Sequence, residues 1–67
     1  MEIKLYSQPT CVICRTVHML LDRKGITYEE CQDIDYMKKV GINHTPVLEV
    51  DGTRYEGKEI YNWINKQ

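Results

Sequence analysis

From Ile3 to Tyr6 apolar and polar residues alternate, the mark of a strand with one buried face. The period then changes. Ile13, Val17, Leu20 and Leu21 recur at i, i+4, i+7 and i+8, one stripe of a helix. Arg23 and Lys24 face the negative end of that helix, and Gly25 stands where a left-handed cap residue belongs. Ile26–Cys31 reads as a second strand, with Ile26, Tyr28 and Glu30 on one face and Thr27, Glu29 and Cys31 on the other. Strand, helix and strand form a βαβ unit, which predicts that the first two strands run parallel.

Asp33 is placed to cap a short helix that carries Ile34, Met37 and Val40 inward. Gly41 stops it, and Ile42 folds back as the hydrophobic contact of the cap. Asn43-His44-Thr45-Pro46 follows, held extended by its proline. Val47–Val50 and Thr53–Tyr55 then flank Asp51-Gly52, a strong signal for a tight hairpin. A closing helix places Ile60, Trp63 and Ile64 on one face. The predicted order is βαβαββα: an α/β fold with a four-stranded mixed sheet flanked by three helices.

Composition narrows the function. With 67 residues the chain has room for one core, so residues 1–67 are expected to form a single domain. Apolar residues make up 42%, which argues against disorder. A net charge of −1 with both signs interspersed leaves no footprint for nucleic acid. Met1-Glu2-Ile3-Lys4 lacks the basic start and apolar run of a signal peptide, and no stretch is long enough to span a bilayer. A cytoplasmic monomer with no membrane partner is the expectation.

Three cysteines are an odd number, which a framework of structural disulfides would leave unpaired. Cys11-Val12-Ile13-Cys14 lies on the turn from the first strand into the first helix. A helix start carries about half a positive charge and favours thiolate over thiol. Thiolate is the nucleophile in disulfide exchange, and Cys-x-x-Cys at such a place is its common setting. Cys11 is the attacker because it lies nearer solvent; Cys14, one turn deeper, is placed to resolve the mixed disulfide. Val12 and Ile13 cannot both face the core, so at least one is exposed beside the reactive sulfur, where a protein partner would meet it. Tyr6 ends the first strand and is a candidate border of the substrate groove. Cys31 reads as a packed strand residue, since free thiols often serve as small apolar groups.

A rival class uses the same atoms. Cys14 and His18 are spaced i, i+4, and with Cys11 and Cys31 they would supply four donors to a metal ion such as zinc. That metal-binding module requires Cys31 to shift register towards the helix start, and no second Cys-x-x-Cys supports it.

Cys11-Val12-Ile13-Cys14 after the first strand, Thr45-Pro46-Val47 before the hairpin and Gly57 opening the last helix together resemble the glutaredoxins, a thioredoxin-fold family, over nearly the whole chain. The resemblance implies a thiol–disulfide oxidoreductase with Cys11 and Cys14 catalytic. It implies a cis peptide bond before Pro46 and pairing of a disulfide substrate, of protein or glutathione type, with the backbone of Thr45. It also places Gln8, Val12, Ile13, Pro46 and Gly57 around that substrate. No tightly bound cofactor is implied; the reductant is glutathione or a flavin-dependent enzyme of the thioredoxin-reductase type. An iron–sulfur cluster bridging two copies is the metal-binding variant within the family.

The chain departs from the family pattern in several places. Val12-Ile13 replaces the usual Pro-Tyr, Gln8 stands where a lysine is common, and Glu56-Gly57-Lys58-Glu59 reduces the glycine pair and acidic residue that hold glutathione. Val12 matches the Cys-Val-x-Cys of the glutaredoxin-like hydrogen donors of ribonucleotide reductase. Their C-terminal Trp-x-Gly-Phe-Arg-Pro-type motif is missing, the chain ending Tyr61-Asn62-Trp63-Ile64-Asn65-Lys66-Gln67.

Overall fold

The computed structural model describes residues 1–67. Its elements are β1 (Ile3–Tyr6), α1 (Val12–Arg23), β2 (Glu29–Cys31), α2 (Ile34–Lys39), β3 (Val47–Val50), β4 (Thr53–Glu56) and α3 (Lys58–Asn65). The sheet has the order β2-β1-β3-β4. β1 and β2 are parallel, whereas β1 with β3 and β3 with β4 are antiparallel. This is the mixed four-stranded sheet with three helices that the periodicities predict.

Local chemistry fixes the ends of the elements. At the end of α1, Ile26 N–H donates to the Leu21 carbonyl and Gly25 N–H to that of Asp22, both at 3.0 Å. α2 ends with the same pair of bonds, Ile42 to Met37 at 2.7 Å and Gly41 to Lys38 at 3.2 Å. These are Schellman caps, and they need a left-handed residue at C′. Gly25 and Gly41 supply it with φ of 70° and 84°. The Asp33 carboxylate accepts the Tyr36 N–H and starts α2. In the β3–β4 hairpin Asp51 and Gly52 both have positive φ, as a two-residue turn of the I′ kind requires.

Alternation along the strands divides the core between the two faces of the sheet. Leu5, Leu48 and Val50 point to one face and pack with Val17 and Leu21 of α1 and Ile60 and Ile64 of α3. Tyr6 and Val47 point to the other, where Met37 of α2 and Ile42 cover them. Trp63 is half-buried against the first cluster, tilted over Tyr55.

Three sequence expectations change. The second strand covers only Glu29–Cys31 instead of Ile26–Cys31. β2 is an edge strand that pairs only with Lys4–Tyr6 of a four-residue neighbour, so Ile26 and Tyr28 pack on the core before the ladder begins. Ile13 is 55% exposed rather than inward, because the buried stripe of α1 is Cys14, Val17 and Leu21. The cysteine takes the first core position that the isoleucine was expected to fill. Ile34 is also exposed, at the opening residue of α2, which leaves Met37 as that helix's buried anchor.

Candidate active site

The register gathers the candidate residues at one end of the sheet. Tyr6 pairs with Cys31 on one side and Val47 on the other, and Val47 pairs with Glu56. The loop Ser7–Cys11, Pro46 and Gly57 therefore emerge at the same edge. The Thr45–Pro46 peptide bond is cis, and Pro46 is buried while Thr45 is partly exposed.

Cys11 is the N-cap of α1, in an extended conformation, and its Sγ accepts the Cys14 N–H at 3.1 Å. The position usually belongs to Ser, Thr or Asp, whose oxygen accepts one of the helix's unpaired N–H groups. Here sulfur does so. Cys11 and Cys14 are joined as a disulfide, with Cα atoms 5.2 Å apart. The same N–H, and the helix's positive end, face the Cys11 sulfur, and a charged acceptor makes the stronger bond. Exposure separates the pair: Cys11 is partly exposed and Cys14 only 1%. Cys11 is the sulfur open to solvent.

On one side of the disulfide lies a groove of about 260 Å³ that includes Gln8, Cys11, Cys14, Arg15, His18 and Glu30 in its lining. Three side chains meet at Glu30. The buried Ser7 hydroxyl donates to Glu30 Oε2 at 2.7 Å, and His18 Nε2 pairs with that same oxygen. The other imidazole nitrogen, Nδ1, is 2.6 Å from the Tyr28 hydroxyl. Burial pushes the Tyr28 phenol above its ordinary value, and the charges of Asp22 and Glu30 push it further. Tyr28 therefore stays protonated and donates to Nδ1, which assigns neutral His18 the tautomer with its proton on Nε2, donating to Glu30. A larger cleft of about 440 Å³, between Met1–Lys4 and Thr27–Glu29, lies at the opposite end of the sheet and holds no cysteine.

The remaining sequence candidates fall into two groups. Val12 and Ile13 are both exposed, at 77% and 55%, and flank Cys11 as an apolar lip. Gln8 accepts the Cys11 N–H through its carbonyl and lines the groove. Gly57 opens α3 with φ of 56° and no side-chain cap, beside Glu56, which pairs with His44 at 3.0 Å. Tyr6 departs from expectation. It is 2% exposed, packed with Met37 and Val47, and so supports the site from beneath instead of bordering a substrate. No group of three or more His, Cys, Asp or Glu side chains is arranged to hold a metal ion, so Cys11, Cys14, His18 and Cys31 do not form the tetrahedron that the rival reading needs. Ser7 and Glu30 are not legible as site residues, because their side chains meet only through the parallel pairing of β1 with β2. The sequence offers His18 only as a metal donor.

A strand-to-helix dithiol on this mixed sheet defines a thioredoxin-like protein. The sequence model of the family described as glutaredoxin matches residues 3–55, and the chain belongs to the glutaredoxin family. No curated protein sequence matches the chain. Among solved structures it is similar to the glutaredoxin-like protein NrdH-redoxin from Escherichia coli, a protein described with a thioredoxin-like activity profile. That match has a TM-score of 0.75 at 19% identity, over 98% of this chain and 93% of that one. A variant of the thioredoxin-like protein BC3987 gives a TM-score of 0.77 at 25% identity, over 96% and 91%. Glutaredoxin from Brucella melitensis gives 0.74 at 20%, over 98% and 80%. No helix is long and apolar enough to cross a membrane.

Proposed function

We propose that the protein is a dithiol oxidoreductase that reduces disulfides in protein substrates. The Cys11 thiolate attacks one sulfur of the substrate disulfide, forms a mixed disulfide and releases the other sulfur as a thiol. Cys14 then attacks Cys11, releasing the second substrate thiol and leaving Cys11–Cys14 oxidised. Two electrons pass from the enzyme to the substrate. The observation that carries this reading is the division of exposure within one capped pair, with Cys11 open and held at the helix start and Cys14 buried beneath it.

The lip of Val12 and Ile13 supports a protein partner over a small charged one. At the start of α3, where the family holds glutathione, the usual glycine pair is reduced to Gly57 alone, followed by Lys58. This favours a flavin-dependent reductase as the source of electrons, acting in the cytoplasm as for a donor to an enzyme such as ribonucleotide reductase. The test is to give the oxidised protein either glutathione or thioredoxin reductase with NADPH, and to count free thiols. Regeneration of two thiols beyond that of Cys31 by the reductase, and not by glutathione, is the expected result. Regeneration by glutathione alone overturns this choice of reductant.

A further inference from the structure

Cys14 is buried, and it must lose a proton before it can resolve the mixed disulfide. The α1 start stabilises charge at Cys11, the capping sulfur, and offers Cys14 no base. The groove beside the pair does. Resting on the dithiol reading above, we infer that the Glu30 carboxylate accepts the Cys14 proton during resolution, through water in the groove that both residues line.

The observations converge on Glu30. It is the residue of β2 whose side chain turns back under α1, and two donors, Ser7 and His18, hold its Oε2. Oε1 makes no bond within the protein, and Glu30 lines the groove. At about 260 Å³ and with walls part polar and part apolar, the groove has room for several bridging waters. Ser7 and His18 are positioning residues, and Tyr28 fixes the imidazole behind them. The other charged groups facing the groove are Arg15 and Asp22, both from α1.

The step balances. The Cys14 sulfur supplies an electron pair to Cys11, the bond from Cys11 to the substrate sulfur breaks with its pair, and the departing thiolate takes a proton from solvent. The Cys14 proton goes to Glu30. No further oxidant or reductant is needed.

A direct test uses 5,5′-dithiobis(2-nitrobenzoate) on the reduced protein in a Cys31→Ser background. Attack by Cys11 releases a first coloured thiolate, and resolution by Cys14 releases a second. In Glu30→Gln the second phase should slow by about tenfold or more near neutral pH, as loss of a general base does. It should rejoin the parent rate above about pH 9, where a thiol ionises unaided. The sign discriminates: if Glu30 acted only through its field, its neutralisation would ease Cys14 ionisation and speed that phase. An unchanged or faster second phase, or one slowed equally at every pH, overturns the inference while leaving the dithiol reading intact. Absence of the first phase from the parent protein overturns the dithiol reading itself. Should near-UV circular dichroism show Glu30→Gln unfolded, Glu30→Asp, which keeps the carboxylate but shortens it, is expected to give the same pH-selective slowing to a smaller degree. Uniform slowing in that variant overturns the inference equally.

Discussion

The sulfur of Cys11 accepts the backbone N–H of Cys14 at 3.1 Å, so the side chain that caps α1 belongs to one cysteine and the first buried anchor of α1 to the other. Helix initiation and the proposed redox chemistry thus use the same four residues. The division of labour between the two thiols follows from that placement.

If Cys11 attacks and Cys14 resolves, Cys14→Ser should stop the cycle at the mixed disulfide. Mass spectrometry after incubation with a disulfide substrate is expected to show the substrate's mass added at Cys11. Cys11→Ser should reduce disulfides no faster than the buffer background. A Cys11→Ser protein with parental activity would reverse the assignment.

The lip formed by Val12 and Ile13 makes a prediction about substrates. Val12→Ser with Ile13→Ser removes exposed apolar surface and should leave thermal stability within about 0.5 kcal/mol. The KM for a protein disulfide should rise severalfold, and by more than that for a small aromatic disulfide. Equal changes for both substrates would show that the lip does not select proteins.

Gly25 tests the cap. A Cβ there would meet no atom within 4 Å, so Gly25→Ala suffers only from its φ of 70°. A cost of about 1 kcal/mol is expected, or a fall in Tm of roughly 4–8 °C for a domain of this size, with disulfide reduction retained at room temperature. Thermal melts of the reduced protein measure it.

Alkaline pH should weaken the fold through Tyr6 and Tyr28. Burial raises both phenols above 10.0, with Glu49 adding to the effect at Tyr6 and Asp22 and Glu30 at Tyr28. The folded chain keeps these protons at a pH where the unfolded chain releases them. Their stabilisation is full below the ordinary tyrosine value and is lost as pH rises through the folded ones. Urea midpoints measured between about pH 9 and 12 should fall, and should fall less steeply in Tyr28→Phe.

Much of the fold was legible because its signals are local. Gly25, Gly41 and Asp51-Gly52 each name a backbone geometry that few other residues tolerate, and each stands where it was expected. The phase of the helices was less legible. Periodicity marked Ile13 and Ile34 as inward, but a stripe counted over apolar residues alone passed over Cys14, which holds the core position. The groove beside the dithiol was hidden for another reason. Ser7, His18 and Glu30 meet only through the parallel register of β1 with β2 and the placement of α1 over them, which no local pattern encodes.

The central claim is that the start of α1 stabilises charge on the Cys11 sulfur while Cys14 stays shielded. Alkylation of the reduced protein with iodoacetamide across a pH series, read by mass spectrometry of each cysteine, tests it most directly. The account predicts that Cys11 reacts first, with a midpoint below the ordinary thiol value of about 8.5, and that Cys14 lags far behind. A Cys11 midpoint at or above that of a free thiol, or alkylation of Cys14 ahead of Cys11, would contradict it.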